Sequence, residues 1–200
     1  MTLPLTDTLR AEYRNLFDTC RINADRQTEV AELATGIIQH RSRYEAVGTP
    51  LSIPWFFIGL IHNMESSQRF DRHLHNGDPL TARTVHVPAG RPISGDPPFR
   101  WETSAADALV LEGLDKVADW RLPALLYRIE KYNGFGYRTR HPDVLSPYLW
   151  SGSQHYTKGK FVADGKFDPD TVSKQSGAAV ILQRMVNQGA VSLSEAAPTT

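Results

Sequence analysis

What the chain has little of narrows it first. Its 200 residues include one cysteine, Cys20. A single thiol makes no intramolecular disulfide, which excludes a disulfide-stapled scaffold and a cysteine-rich zinc site. No apolar run approaches the ~20 residues that cross a bilayer. The longest, Ile53–Ile61, is far too short, so no integral membrane segment is expected. Charge of one sign is lacking too. The 22 Lys and Arg cancel the 22 Asp and Glu, whereas a dedicated nucleic-acid binder usually carries a basic excess. Residues Met1–Arg14 contain no apolar core of a signal peptide. Synthesis in the cytoplasm is therefore expected, and action outside would need release or export. Internal repeats and low-complexity tracts are absent. What is there, 40% hydrophobic and 22% charged residues, suits one globular domain with a real core.

The pattern along the chain reads as helices. Thr6 or Asp7 caps a first helix to about Ile22, with Leu9, Tyr13, Leu16 and Phe17 at helical spacing. A second is expected from about Arg26 to Ala46, ended by Gly48-Thr49-Pro50. Ser52-Ile53-Pro54 reads as an N-cap with an early-turn proline. From Ile53 to Met64 nearly every residue is apolar. A helix greasy on all sides is buried on all sides, so this is the expected central helix. Thr81, Thr84, Val85, His86 and Val87 favour a small hairpin after the Asn76-Gly77-Asp78-Pro79 turn. Ser104-Ala105-Ala106-Asp107 reads as a capping box for a helix to about Val117, and Leu122–Tyr132 as another. Residues 134–153 are irregular and aromatic. A hairpin from His155 to Phe167, turned at Ala163-Asp164-Gly165, follows, then a helix from Asp170 to Asn187 capped by Asp168-Pro169 and ended by Gly189. The fold class is α+β, predominantly helical. Residues 1–50 are expected to form a helical extension, 51–190 the main domain, and 191–200 a flexible tail.

The most informative residue is Glu65, into which the apolar helix runs directly. A carboxyl at the edge of buried apolar surface is partly desolvated, which raises its pKa, and the negative end of a helix dipole pushes the same way. A carboxylic acid still protonated near neutral pH is what general-acid catalysis requires. The competing reading is a surface glutamate, or one paired with Arg69. Asp78 and Thr84 are candidates for the other side of a scissile bond. Taken alone, Asp78 is better read as ordinary Asn-Gly-Asp-Pro turn chemistry, and the competing reading of Thr84 is strand propensity. His62, one helical turn from Glu65, is placed to hydrogen-bond its carboxyl. His62, His73, His75 and His86 lie near Asp71 and Asp78, but their spacing matches no metal signature, so no metal or other cofactor is expected. Serine and cysteine nucleophile motifs are also lacking.

Glu65-Ser66 at the end of an apolar helix, then the Asp78–Thr84 segment, then Tyr132-Asn133-Gly134-Phe135-Gly136, together resemble the lysozyme-like superfamily. Goose-type lysozymes, soluble lytic transglycosylases and phage endolysins are the branches that the pattern most resembles. The resemblance spans about residues 50–188. It implies a lysozyme-like fold and a peptidoglycan-cleaving glycosidase, active on the cell wall after release. Glu65 would be the general acid, Ser66 its support, and Asp78 and Thr84 the holders of the attacking water. Tyr132 and Asn133 would line the substrate cleft. Two departures stand out: the Gly-Leu-Met-Gln type motif of lytic transglycosylases is absent, and the Glu65–Asp78 interval is longer than in phage-type enzymes. Phe135, Tyr137, Tyr148, Trp150 and Tyr156, among polar side chains, suit a sugar cleft, since aromatic faces pack on sugar rings; Gly134 and Gly136 either permit close approach of substrate to backbone or only end the helix. For Trp150, covering the core is an equal reading. The expected partner is peptidoglycan or a related amino-sugar polymer, bound by a monomer. Alternatives are a lytic transglycosylase giving anhydro products, a chitinase- or chitosanase-like enzyme, and a non-catalytic cell-wall glycan-binding module.

Overall fold

The computed structural model describes residues 3–163 and 165–193. In chain order its helices are α1 (Asp7–Asp18), α2 (Gln27–Gln39), α3 (Arg41–Leu51), α4 (Trp55–Ser66), α5 (Trp101–Leu111), α6 (Leu122–Tyr132), α7 (Gly136–Arg140) and α8 (Pro147–Trp150). Strands β1 (Lys160–Ala163) and β2 (Lys166–Asp168) then form a two-stranded antiparallel sheet, and α9 (Ala178–Asn187) closes the order. The class is α+β with helix dominant. Among the described residues no helix is long and apolar enough to cross a membrane.

The chain divides into two compact units. One comprises residues up to Ala34 together with those from Arg121 onward; the other is Thr35–Trp120. The boundary on the N-terminal side falls inside α2, so the helices of residues 1–50 are shared between the units.

The middle unit is built on α4. Phe57, Ile58, Gly59, Leu60, Ile61, His62 and Asn63 are buried in unbroken succession, the all-round burial its composition predicts. Helix α3 packs on both α4 and α5. The approach to α4 depends on Gly59, where a Cβ would sit 2.4 Å from Ile37 Cγ2. Tyr44, Trp101 and Leu109 complete this core, all fully buried or nearly so.

The other unit packs α1 on α6 and α8 on both α6 and α9. Thr6 caps α1, its Oγ1 accepting from Leu9 N–H at 3.2 Å. Trp150, Leu149, Ile181 and Leu182 are fully buried there. Where α1 meets α6, the Tyr13 hydroxyl donates to Glu130 Oε2 at 2.6 Å, and Arg138 Nε donates to the same oxygen at 2.9 Å.

Several boundaries differ from the sequence reading. The helix expected over 26–46 is two, broken at His40, whose φ/ψ of −98°/14° lies outside the helical well. Pro50 does not end α3; it lies within it, and Ser52, at φ 57°, makes the stop instead of capping α4. The residues of the expected capping box lie inside α5, which begins earlier at Trp101. Asp168 caps only a turn, accepting from Asp170 and Thr171 N–H at 2.9 and 3.2 Å, and α9 begins eight residues later than proposed, at Ala178. The hairpin expected over 81–87 is not formed: the residues there are turn, bend or without regular structure, and none is strand. Its backbone bonds fall further back, His73 N–H to Asp78 O at 2.7 Å and Leu80 N–H to Asp71 O at 3.1 Å, around an isolated Arg72–Pro79 bridge. The helix Leu122–Tyr132 stands where the sequence put it, and the hairpin expected over His155–Phe167 is the shorter pair β1 and β2, beginning at Lys160. Of the expected tail, Val191 is buried and residues 194–200 lie outside the described chain.

Candidate functional site

Glu65 occupies the last turn of α4, half-buried behind seven fully or largely buried residues. Arg69, its expected competing partner, pairs instead with Asp71 at 2.7 Å. Burial pushes the Glu65 carboxyl up to about 7, and the negative charge of Glu112 adds to the effect. No hydrogen bond or ion pair within the described chain opposes that rise. An isolated carboxylate is costly to desolvate, and the group responds by holding its proton.

The backbone beyond Glu65 is unusual. Ser67 and Gln68 both have positive φ, 52° and 62°, and neither is glycine. Successive non-glycine residues in this region cost conformational energy and persist only where the surroundings fix them. The fixing bonds are Ser67 N–H to Asn63 O, Gln68 N–H to His62 O, and Gln68 Nε2 to Asn63 Oδ1. Gly77 (φ 77°) then brings its turn against the helix end; a Cβ there would sit 3.2 Å from the Glu65 carbonyl oxygen.

His62 does not meet Glu65. Its Nε2–H donates to Arg69 O at 3.1 Å, which leaves Nδ1 to accept from the Tyr44 hydroxyl at 3.0 Å. The ring is fully buried against Phe70 and Trp101, both at 4.6 Å between centroids. Burial pushes its pKa down to about 4, so it is a neutral core residue and not a substrate contact. The Ser66 hydroxyl donates to His62 O at 3.3 Å, an intrahelical bond.

Asp78 and Thr84 are bound into a loop. Asp78 Oδ2 accepts from Val85 and His86 N–H at 2.8 and 3.0 Å, and Oδ1 accepts from His86 Nδ1 at 2.6 Å. Burial alone would raise its pKa; the His86 ring and the two backbone donors outweigh it and hold the group at about 2. The Thr84 hydroxyl donates to Pro88 O and accepts from Arg91 N–H at 2.9 Å. Both side chains brace residues 78–91 and are occupied in doing so, which corrects the expectation that they hold a water.

His73 and His75 are likewise structural. His73 Nε2–H donates to Ala82 O, and its Nδ1 accepts from Ser104 Oγ at 2.7 Å. His75 Nε2–H donates to Asp107, which also takes two bonds from Arg91. Among the described residues no group of three or more His, Cys, Asp or Glu is placed to hold a metal ion.

The expected cleft residues after α6 belong to the other unit. Tyr132 is half-buried at the end of α6. Asn133, Gly134, Tyr137 and Tyr148 come together, with Phe161 and Arg140, around a cavity of about 390 Å³ beside the hairpin. Tyr137 accepts from Phe161 N–H at 3.1 Å, and burial pushes its hydroxyl up to about 12. Trp150 and Tyr156 lie in the core instead, 0% and 5% exposed; the Tyr156 hydroxyl is tied to Gly159 O and Ser173 N–H. Sequence reasoning missed Arg140, Phe161 and Glu112, single residues of common type whose roles depend on chain segments far apart in sequence.

The chain matches no protein-family model, no curated protein and no solved structure among those compared with it.

Proposed function

We propose that the chain is a glycoside-cleaving enzyme that acts on peptidoglycan, with Glu65 as its general acid. The observation that carries this reading is the Glu65 carboxyl itself: without a hydrogen-bond or ion-pair partner among the described residues, half-buried at the end of an apolar helix, and protonated up to about pH 7. Such a group delivers its proton to the glycosidic oxygen as the bond to the sugar breaks, leaving an oxocarbenium-like centre. The resemblance to lysozyme-like enzymes supplies the substrate class, the bond between N-acetylmuramic acid and N-acetylglucosamine. The strained Ser67–Gln68 backbone next to the acid supports a functional role for this helix end.

The second step is favoured in its one-carboxylate form. Asp78 and Thr84 are occupied by loop bonds, whereas attack by the muramyl 6-hydroxyl needs no water held by a second side chain. The product is then an anhydro sugar, the lytic transglycosylase outcome. The test is turbidity loss of purified cell walls with wild type and Glu65→Gln, with mass spectrometry of the released fragments. Clearing by wild type alone is expected, with fragments lighter by one water than hydrolysis gives. Equal clearing by both proteins overturns the role of Glu65. Binding of walls without clearing by wild type would favour a non-catalytic glycan-binding module.

A further inference from the structure

The loop that follows the Glu65 helix end carries an inference beyond the proposed reaction. We infer that the tip of this loop, residues 84–93, is a docking surface for a lipid bilayer, with Val85, Val87 and Ile93 entering the headgroup boundary.

These three are the most exposed large apolar side chains among the described residues, at 74%, 90% and 70%. Aliphatic groups scattered singly over a surface are ordinary, but a concentration of them in one short loop marks an interaction site. The loop is held rigid from within. Thr84 N–H donates to Arg91 O at 2.9 Å and Gly90 N–H to Thr84 O at 2.7 Å, which closes it at its neck. Asp78 takes the N–H groups of Val85 and His86, and the Asn76 amide donates to His86 O at 3.0 Å. The Arg83 guanidinium donates to Pro92 O and Gly95 O, and Arg91 is anchored on Asp107. Pro88 and Pro92 have no N–H to satisfy. The tip is therefore set before it binds, and docking costs little further ordering. Much of its backbone polarity is also satisfied inside the protein, as entry into an apolar phase requires.

The chemistry of the tip selects the occupant. A sugar polymer would need ring faces and open hydrogen-bonding groups, whereas the tip offers aliphatic carbon beside bonded polar groups. A second copy or another protein would need about 800 Å² on each side. Three aliphatic side chains supply roughly 250 Å². A bilayer requires no matched surface and accepts protruding apolar groups at its interface. The cations of the loop are committed, Arg91 to Asp107 and Arg83 to carbonyls with Asp96 at 3.9 Å. Apolar contact, not attraction to anionic lipid, then sets the binding. The His86 ring between the valines is 77% exposed and bonded to Asp78, and it limits the depth to the headgroup level. The stem of the loop lies against the Glu65 end of α4 through Gly77, so docking holds that helix end close to the membrane surface.

The test is co-sedimentation of the full chain with phosphatidylcholine vesicles and with vesicles that also contain phosphatidylglycerol. Wild type is expected to bind both, weakly and reversibly, with little effect of salt. Val85→Ser and Val87→Ser together are expected to lower the partition coefficient roughly tenfold. Val172→Ser, at an exposed valine of the other unit, is expected to leave it unchanged. Fluorescence of the Val87→Trp chain is expected to be quenched by brominated phosphatidylcholine more than that of wild type, a direct reading of insertion. No sedimentation of wild type, equal binding by the double variant, binding only to phosphatidylglycerol vesicles that salt removes, or no added quenching would each overturn the docking surface. A wild-type dimer that the double variant loses would overturn it as well, and assign the patch to a second copy. None of these readouts uses cell-wall clearing, so they are scored apart from the role of Glu65.

Discussion

Glu65 and Glu130 pose the same problem and meet it differently. Each is a carboxylate near the C-terminal end of a helix rich in apolar residues, one in each unit, and burial raises the pKa of both. Glu130 is 1% exposed, but one of its oxygens takes the Tyr13 hydroxyl and Arg138 Nε, and Arg138 continues to Glu12 at 2.8 Å. This is the ordinary way a protein interior tolerates a charge. Glu65 has more solvent and no such escort. A partnered acid holds a fold together; an unpartnered acid is left able to give its proton away.

The comparison is broken most directly by substitution at the two sites. Glu65→Gln is expected to lower the rate of wall clearing by about 10²–10⁴, the usual share of a general acid, with no loss of folded protein. Glu130→Gln is expected to do the reverse. It leaves Arg138 with Glu12 alone and costs about 3 kcal/mol in urea unfolding, while the clearing rate per folded molecule is kept. If Glu130→Gln abolished clearing in a fully folded protein, or Glu65→Gln merely unfolded the chain, the division of labour would be wrong.

His62 sharpens the same contrast, since sequence spacing paired it with Glu65 and the structure does not. His62→Phe leaves the Tyr44 hydroxyl and the Arg69 carbonyl unpaired inside an aromatic cluster. A loss of about 2–3 kcal/mol is expected from thermal or urea unfolding. The pH at which wall clearing falls off is expected to stay where it is, because His62 makes no bond to the acid. A displaced pH profile would restore the pairing.

Much of this was legible in the sequence, and the part that was not has physical reasons. The burial of α4 follows from an unbroken apolar run, and helix Leu122–Tyr132 from its spacing and Pro123; both are local properties. The 163–165 turn follows from Gly165, which adopts φ 67°. The loop of residues 78–91 was misread because Thr84, Val85 and Val87 have strand propensity, yet the loop is organised by side chains reaching backbone groups: Asp78, Thr84 and Arg83. Propensity reports a preference for extended backbone and contains nothing about such bonds. At the site, the raised acid could be read from position alone. The direction in which His62 points could not, because residues 62 and 65 are neighbours on a helix whether or not their side chains meet. Arg140 and Phe161 are 21 residues apart, and nothing in either segment indicates the other.

The pH dependence of stability tests the proton itself. The Glu65 pKa rises from an ordinary 4.5 to about 7 on folding. The folded state therefore keeps a proton that the unfolded chain gives up, and stability falls as pH rises from about 4.5 to 7. His62 runs the other way. Its pKa falls from 6.5 to about 4, so the unfolded chain takes up a proton first and stability falls as pH drops from about 6.5 to 4. Between pH 4.5 and 6.5 the two slopes oppose each other, and these two groups together leave the wild-type stability nearly flat with pH. Glu65→Gln removes one of them. Relative to wild type, the variant is expected to be unchanged below pH 4.5 and about 3 kcal/mol more stable above pH 7, a gain of roughly 6–12 °C in midpoint. Within the window its stability should climb with pH where the wild type does not. Parallel curves for the two proteins from pH 4 to 8 would mean that folding leaves the Glu65 proton as easily lost as in water, and an acid of that kind is already ionised at the pH where it has to act.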